Sequence, residues 1–390
     1  MKSVLLYTEE MDDVGLGVTE LGEDLTQKNF SLEQNTVGVC FFHSDTDATE
    51  LVRELGARFS FPIIGASAAA LLTDLGYRSQ GISLLVLTAD DVEFTTHTVA
   101  DLGNLDEVRE KITADTEFIF GLISMNYGES GDKYKRALAE ISGDISHYAA
   151  VSSDDFTISK TKIFNQGEIL ASGIVLLAIS GNVSPLVISE YFSKKETSFS
   201  AIVTESKGNV VYRLGKATFL DAIEEAGLIF SDQSDAFMEA IGLSFIFNYI
   251  TDDGDEIILP RHLLSVDYAT CSGRFLGDVP EGAKLNIYLA ERTDVKTTVK
   301  AILDKSFKEY NQRKHKQYTA STALVFSGVA RAMIFSSDIK EQSKGHLEMM
   351  PSFVTASGFY TYGEVAEVKG DLTEKQSSEY LNSSFSVLVL

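Results

Sequence analysis

The chain has few of the residues that would place it in an oxidising compartment, in a membrane or on a nucleic acid. Its two cysteines, Cys40 and Cys271, do not form a disulfide framework, which indicates a reducing compartment. Lysine and arginine total 33 against 57 acidic residues, and the net charge of −24 disfavours phosphate backbones and anionic lipid surfaces. No apolar run approaches the ~20 residues of a membrane helix. The first apolar stretch, Val4-Leu5-Leu6-Tyr7, is too short for a secretory signal. We therefore expect a cytoplasmic protein without nucleic-acid or membrane partners.

The strong motifs of catalysis and of metal binding are also missing. The sequence contains neither a phosphate loop ending in Gly-Lys-Ser/Thr nor a His-Glu-x-x-His or Cys-x-x-Cys motif. Its six histidines show no ligand spacing, so the sequence predicts no metal site. The acidic stretch Asp252-Asp253-Gly254-Asp255 lacks the alternating ligands of a calcium loop and is typical of a hairpin turn.

The sequence does contain one motif four times, which we call the phrase. It consists of small residues at a strand end, a turn-rich stretch and an apolar run. The four small-residue segments are Ile64-Gly65-Ala66-Ser67, Ala149-Ala150-Val151-Ser152, Ala269-Thr270-Cys271-Ser272-Gly273 and Thr355-Ala356-Ser357-Gly358. Ser67 precedes Ser152 by 85 residues, and Ser272 precedes Ser357 by 85 residues. This spacing predicts two related halves, each an internally duplicated strand–helix–strand–hairpin unit.

Strands that alternate with helices predict an α/β fold, and the long hairpins between repeated strands predict mixed rather than purely parallel sheets. The spacing of apolar residues predicts two helices, one with Leu51, Val52 and Leu55 on its apolar face and one with Tyr134 and Leu138. The polar segment 193–198 marks the boundary between the halves. The predicted domains are therefore residues 1–195 and 196–390.

Polar side chains follow the second and the fourth copies of the phrase. Ser152, Ser153, Asp154 and Asp155 come directly after a strand, where they either orient a small polar ligand or cap a turn. Near the C-terminus, alternation predicts that Tyr360, Tyr362 and Glu364 lie on one strand face as a pocket wall. Arg331 follows a buried strand and pairs either with an internal carboxylate such as Glu364 or with a ligand carboxylate.

These segments resemble the FIST proteins, a family of bacterial and archaeal intracellular sensory proteins. Residues 358–365 followed by Asn382, and Ala323-Leu324-Val325-Phe326-Ser327 with Arg331, resemble the C-terminal FIST region. Gly65-Ala66-Ser67 and Ser153-Asp154-Asp155-Phe156 resemble the N-terminal region. The resemblance implies an N-terminal and a C-terminal FIST domain and the sensing of a small ligand related to amino acids. It also implies signalling to a kinase, a cyclase or a chemotaxis protein. Because the sequence ends at Leu390 without an output module, we expect that signalling in trans.

The sequence departs from the family pattern at two places. Ala69-Ala70-Leu71 stands where the family often has a Gly-Glu pair. Phe164 and Leu381 stand where a histidine tends to precede an asparagine. Some family members sense nitric oxide through haem, and the loss of these histidines counts against haem here; if haem is bound, His147 is the candidate ligand.

The expected function is therefore a sensor without enzymatic activity and without a cofactor. Its predicted ligand-binding residues are Arg331, Tyr360, Tyr362, Glu364, Asn382, Ser152, Ser153, Asp154 and Asp155. Two alternatives stay open. One is a haem-binding nitric-oxide sensor, and the other is an enzyme in which the carboxyl groups of Asp154, Asp155 and Glu364 do acid–base work.

Overall fold

The structure is a computed structural model, and it describes residues 1–74, 76–155, 157–191, 195–230, 236–240, 242–251, 254–289, 292–313, 322–335, 354–369 and 376–390. Within these residues the strands form four sheets, and three of the sheets share one plan. Each of these three sheets is built mainly by one stretch of chain, which we call the first, second and third unit.

The first unit sets the plan. Its elements are β1 (Lys2–Thr8), α1 (Val14–Gln27), β2 (Asn35–His43), α2 (Ala48–Arg58), β3 (Ile63–Ala68), the hairpin β4 (Leu71–Thr73) and β5 (Gly76–Arg78), and β6 (Ile82–Ala89). The buried run Val37–Phe42 forms β2 because every side chain in it has an apolar environment on both faces. Asp47 caps the N-terminus of α2, and its carboxylate accepts from the N–H groups of Thr49 and Glu50 at 2.9 and 3.1 Å.

The second and third units repeat the plan. The second contains β7 (Val92–Val99), α3 (Asp106–Arg109), β8 (Thr116–Ser124), α4 (Gly131–Ser142), β9 (His147–Val151), the hairpin β10 (Ile163–Asn165) and β11 (Glu168–Leu170), and β12 (Gly173–Gly181). The third contains β13 (Leu186–Tyr191), α7 (Arg292–Arg313), β22 (Thr322–Gly328), α8 (Val329–Phe335), β23 (Thr355–Thr361), the hairpin β24 (Glu364–Lys369) and β25 (Gln376–Leu381), and β26 (Ser384–Val389).

The strand orders of the three sheets match position by position. They are β1-β6-β2-β3, β7-β12-β8-β9 and β13-β26-β22-β23. In each sheet the last pair is parallel and the other pairs are antiparallel. Side chains in the three sheets can therefore be compared by register, as three versions of one environment.

The hairpins are exchanged around a ring. The first unit's hairpin pairs with β23, the second unit's with β3 and the third unit's with β9. The inner faces of the three sheets meet in one core, where Phe326 packs against Phe41, Phe120 and Phe359 with ring centroids 5.4–6.2 Å apart. Gly358 allows the close approach this requires, because a Cβ there would lie 1.7 Å from the carbonyl oxygen of Val325.

The chain between β13 and α7 forms the fourth sheet, which is antiparallel throughout its described pairs. Its elements are β14 (Lys195–Lys207), β15 (Val210–Leu214), β16 (Ala217–Thr218), α5 (Phe219–Glu225), α6 (Ala236–Glu239), β17 (Leu243–Ile250), β18 (Glu256–Arg261), β19 (Leu263–Asp267), β20 (Ser272–Phe275) and β21 (Lys284–Leu289). Phe275 centres its core, with the rings of Phe219, Phe245 and Phe247 at 5.2–5.7 Å. We call this part the antiparallel domain.

The predicted α/β fold with mixed sheets and two domains is confirmed. The structure differs at the third copy of the phrase, because residues 269–273 form a turn and the start of β20 in the antiparallel domain. Small residues followed by an apolar run suit either sheet type, so the pattern alone did not separate them. The division at 195/196 stays a prediction, and it falls at the first residue of β14. In the described residues, no helix combines the length and apolar character needed to cross a membrane.

Candidate ligand-binding site

The three units meet at Ser153, where the chain leaves β9. The Ser153 hydroxyl donates to the carbonyl oxygen of Tyr360 and accepts from the N–H of Ala69 at 2.9 Å. Its own N–H donates to the carbonyl oxygen of Ser67 at 3.1 Å. Ser153 was predicted to bind ligand, but the structure uses its hydrogen-bonding groups to join the strand ends of all three units. This explains the small residues at these ends, because backbones must come within hydrogen-bond distance here.

Two of the positions compared by register are apolar in the first and second units and polar in the third. On the outer face at the end of the first parallel strand, the units have Phe42, Ile123 and Ser327. At the start of each hairpin, facing the inner core, they have Leu71, Ile163 and Glu364. The third unit thus has buried polar groups at positions that are apolar in the other two, a substitution that weakens a core unless the groups have another role.

Arg331 and Glu364 bring opposite charges into this region. Arg331 lies near the start of α8, and both residues are 0 % exposed. Burial lowers the pKa of Arg331 to about 10, so it stays a cation at neutral pH. Burial raises the pKa of Glu364 to about 7, and the hydrogen bond from Thr361 and the charge of Arg331 hold it from rising further. Unlike an exposed glutamate, this carboxyl group therefore titrates near neutral pH.

The neighbours of these two charges are mostly polar or aromatic. The hydroxyl of Thr361 donates to Glu364 at 2.6 Å, and that of Ser384 also donates to Glu364. The guanidinium of Arg331 lies 5.3 Å from the ring centroid of Phe385. The charges of Arg331 and Glu364 act on each other, and an internal carboxylate such as Glu364 was one of the two partners that the sequence left open for Arg331.

Tyr360 is the third member of the group, and its hydroxyl is unusual. The side chain is fully buried, yet its oxygen has no hydrogen-bond partner in the described structure. Ser327 and Ser357 have buried hydroxyls in the same condition. Burial raises the pKa of Tyr360 far above its ordinary value, so the phenol stays protonated. Buried hydroxyls without partners are rare in folded proteins, and they are available to a ligand. We call Arg331, Tyr360 and Glu364 the polar triad.

The prediction that Tyr360, Tyr362 and Glu364 share one strand face is wrong. Strand β23 ends at Thr361, and Glu364 begins β24 in a different sheet. The chain crosses between sheets at Gly363, where a Cβ would lie 2.5 Å from the hydroxyl oxygen of Tyr380. Alternation holds along a strand and fails where the strand stops.

Tyr362 belongs to a second, structural group with Asp154. Its hydroxyl donates to the Asp154 carboxylate, which also accepts from four backbone N–H groups of residues 157–160 at 2.8–3.0 Å. Burial acts against ionisation of Asp154, but the bonds from Tyr362 and these backbone groups outweigh it and lower the pKa. Asp154 therefore caps a turn, which was one of the two alternatives left open, and its oxygens are already satisfied.

The remaining predicted residues are Asn382, Asp155 and Ser152. The Asn382 amide donates to the Tyr362 carbonyl at 2.8 Å and its oxygen accepts from the N–H of His262 at 3.3 Å, which ties the third unit to the antiparallel domain. Asp155 is exposed and lies 3.4 Å from the Lys160 ammonium. Ser152 is buried with a hydroxyl that has no partner in the described structure. Phe156 lies outside the described residues.

His147 does not fit the role of a haem ligand. Its Nδ1 lies 2.9 Å from the Ser142 hydroxyl and 3.1 Å from the Ile145 carbonyl oxygen. Its Nε2 lies 2.9 Å from the Ser378 hydroxyl. Both ring nitrogens are thus engaged inside the fold, and neither has a lone pair directed at an iron. Among the described side chains, no group of three or more His, Cys, Asp or Glu residues is placed to hold a metal ion.

Sequence reasoning missed a buried ion pair that fastens the antiparallel domain. Arg261 donates to Asp132 at 3.2 Å, and the two side chains are 1 % and 4 % exposed. Arg261 also donates to the carbonyl oxygens of Asp278 and Tyr380, while Lys135 lies 2.9 Å from Asp132. An arginine that ends the apolar stretch Ile257-Ile258-Leu259-Pro260 was the available signal.

Two family models match the chain, and the comparison with curated proteins found no match. The FIST N domain matches residues 36–217, and the FIST C domain matches residues 220–367. The boundary between the matches lies at β16, and the second match ends before Asn382. The two matches together span most of the chain and place the triad in the FIST C domain. The chain therefore belongs to the FIST family, whose domains are sensory domains of signal transduction.

Proposed function

We propose that this protein is a sensor that binds a small amino-acid-like ligand at the polar triad, without catalysing a reaction on it. The observation that carries the proposal is the polarity of the third unit at register positions where the first and second units are apolar. Glu364 stands at one of these positions, and Arg331, which interacts with both Glu364 and Tyr360, is buried with them. Burying these groups costs stability, and a bound polar ligand would offset that cost.

The chemistry of the triad defines the ligand class. A carboxylate would pair with the Arg331 guanidinium, which presents several N–H donors in a plane. An ammonium group would pair with Glu364, whose pKa of about 7 lets it ionise when a cation approaches. The Tyr360 hydroxyl would complete the contacts as donor or acceptor. A molecule with one carboxylate and one ammonium satisfies all three.

The triad also lies where α/β proteins usually hold ligands, at the carboxyl ends of neighbouring parallel strands, here β22 and β23. Through Ser153 and the hairpin exchange, a change at this place reaches strands of all three units. We propose that the ligand-bound form signals to a protein partner, a kinase, cyclase or chemotaxis protein. Among the described side chains of the triad, Glu364 is the one with a carboxyl group that could act as a base, and for this reason we favour a sensor over an enzyme.

The test is a thermal-shift experiment with three matched sets of compounds. Each L-amino acid is compared with the amine that lacks its carboxylate and the acid that lacks its ammonium group. We expect amino acids to raise the melting temperature of the wild type and of Tyr127→Phe, an exposed tyrosine, by mass action. We expect Arg331→Lys and Tyr360→Phe to weaken the shift and neither truncated analogue to match the amino acid. Amines and acids that stabilise as well as amino acids, or no stabilisation by any compound, would refute the proposal.

A further inference from the structure

The first unit contributes an aromatic side chain to the region of the triad. Tyr77 lies on β5, the edge strand of the third unit's sheet, and its ring centroid is 5.8 Å from that of Tyr360 with the planes at 69°. Leu72, which pairs with Tyr77 across the hairpin, is buried in the same apolar cluster as Tyr360. The outer face of this sheet thus continues from Tyr360 to the apolar side chain of Leu72 and the aromatic ring of Tyr77.

The corresponding positions in the other hairpins show what is unusual about Tyr77. By register, Tyr77 matches Ile169 in the second unit and Tyr380 in the third. Tyr380 is fully buried, and its hydroxyl lies 3.3 Å from both the Tyr362 carbonyl oxygen and the Asn382 amide. The Tyr77 side chain is half-buried, and within the described part of the chain no hydrogen bond holds its hydroxyl. Tyr380 is fastened in the fold, whereas Tyr77 is held by packing alone.

We propose that Tyr77 is a specificity-determining residue of this site, where its ring forms the wall against which the ligand's side chain packs. This inference rests on the proposed function. The carboxylate and ammonium groups of the ligand face the triad, so its side chain points toward Tyr77 and Leu72. Aromatic rings recognise flat and aromatic groups through edge-to-face and stacked contacts. The ligand class is therefore an amino acid with an aromatic side chain rather than a small or charged one.

The arrangement makes the site bipartite between the two matched domains. The hairpin 71–78 lies in the FIST N match, while Arg331, Tyr360 and Glu364 lie in the FIST C match. β4 is held to β23 by three register pairs, Ser357 with Thr73, Gly358 with Leu72 and Phe359 with Leu71. A ligand bound at the triad would thus also contact a short edge hairpin that belongs to the FIST N match.

Calorimetry on the full chain tests the proposal with phenylalanine, tyrosine, tryptophan, alanine and aspartate as probes. We expect the wild type and Tyr127→Ala to bind the aromatic amino acids more tightly than alanine or aspartate. Tyr77→Ala should lose roughly 10-fold in affinity for the aromatic amino acids and little for alanine. The difference in affinity between aromatic amino acids and alanine should therefore become smaller. Tyr77→Leu, which keeps apolar volume, serves if the alanine variant does not fold.

A fluorescence experiment gives an independent readout, because the natural chain contains no tryptophan. In Tyr77→Trp, phenylalanine should shift the emission of the single indole, whereas Tyr127→Trp should not respond. If the wild type binds amino acids but Tyr77→Ala keeps the same order of affinities, the inference is wrong and the proposed sensor stands. Tighter binding of alanine or aspartate than of aromatic amino acids also refutes it. If the wild type binds none of the probes, both proposals fall.

Discussion

Replacing two tyrosines by phenylalanine should have opposite effects on stability, because their hydroxyls are in opposite conditions. Tyr360 and Tyr362 are both buried, and each change removes one oxygen atom and nothing else. The Tyr360 hydroxyl has no hydrogen-bond partner in the described structure, whereas the Tyr362 hydroxyl donates to the ionised Asp154. The same chemical change thus isolates the effect of the hydrogen bond.

The magnitudes follow from the cost of burying a polar group. An unpaired buried hydroxyl costs about 1–3 kcal/mol, so Tyr360→Phe should raise the free energy of unfolding of the ligand-free protein by about that amount. A hydrogen bond to a charged group contributes about 1.5–3 kcal/mol, so Tyr362→Phe should lower the free energy of unfolding by a similar amount. Asp154 keeps its four backbone donors in the variant, so no unpaired charge is left behind.

The assay is urea unfolding followed by far-ultraviolet circular dichroism. With an m-value of roughly 3 kcal/mol/M, a change of 2 kcal/mol shifts the midpoint by about 0.7 M. Tyr127→Phe, at an exposed position, should leave the midpoint unchanged. A lower midpoint for Tyr360→Phe than for the wild type would show that its hydroxyl is satisfied in the free protein. One of the observations that support the binding site would then be removed.

Three further variants test the charges. Glu364 has a folded-state pKa of about 7 against 4.5 when exposed, so the folded state loses about 3 kcal/mol of stability as the pH rises from 4.5 to 7. Glu364→Gln should therefore be more stable than the wild type at pH 8 and close to it near pH 4.5. A difference in urea midpoint that stays constant with pH would contradict this. Arg331→Leu removes the positive charge near Glu364, so it should destabilise the protein more at pH 8 than at pH 5. The double variant Arg331→Leu with Glu364→Gln should lose that pH dependence. An equal loss of stability in Arg331→Leu at both pH values would refute the expected interaction of the two charges. Asp132→Asn leaves Arg261 buried without its carboxylate partner, so about 3–5 kcal/mol of stability should be lost. Hydrogen exchange should become faster in β18 than in β2. Unchanged hydrogen exchange in β18 would show that the ion pair does not hold the antiparallel domain in place.

Local patterns predicted local structure well, and they predicted part of the site. The faces of α2 and α4 have Leu51, Leu55, Tyr134 and Leu138 buried, as the helical spacing predicted. Arg331 and Glu364 act on each other, because a buried cation and a buried anion in one core favour each other's charged forms. A charged residue that interrupts or ends an apolar run in the sequence predicts a buried charge.

The remainder depended on contacts that the sequence pattern does not specify. β4 is only three residues long, and nothing in Leu71-Leu72-Thr73 indicates that its partner is Phe359-Gly358-Ser357 rather than its own unit's β3. The crossing at Gly363 breaks the alternation on which the predicted face of Tyr360, Tyr362 and Glu364 depended. The saturation of Asp154 by backbone donors, and hence its structural role, follows from a turn whose conformation no residue type dictates.

The ring of exchanged hairpins has a consequence for how the protein is made. Thr73 pairs with Ser357, so the hairpin emerges from the ribosome 284 residues before its partner strand. At 5–20 residues per second, that interval lasts roughly 15 to 60 s. During this time the edge of β4 that pairs with β23 is uncovered and open to association with other nascent chains. The ring closes only when the third unit has supplied β23 for this hairpin and its own hairpin for β9, so yield in the cell should depend on chaperones that cover nascent strand edges.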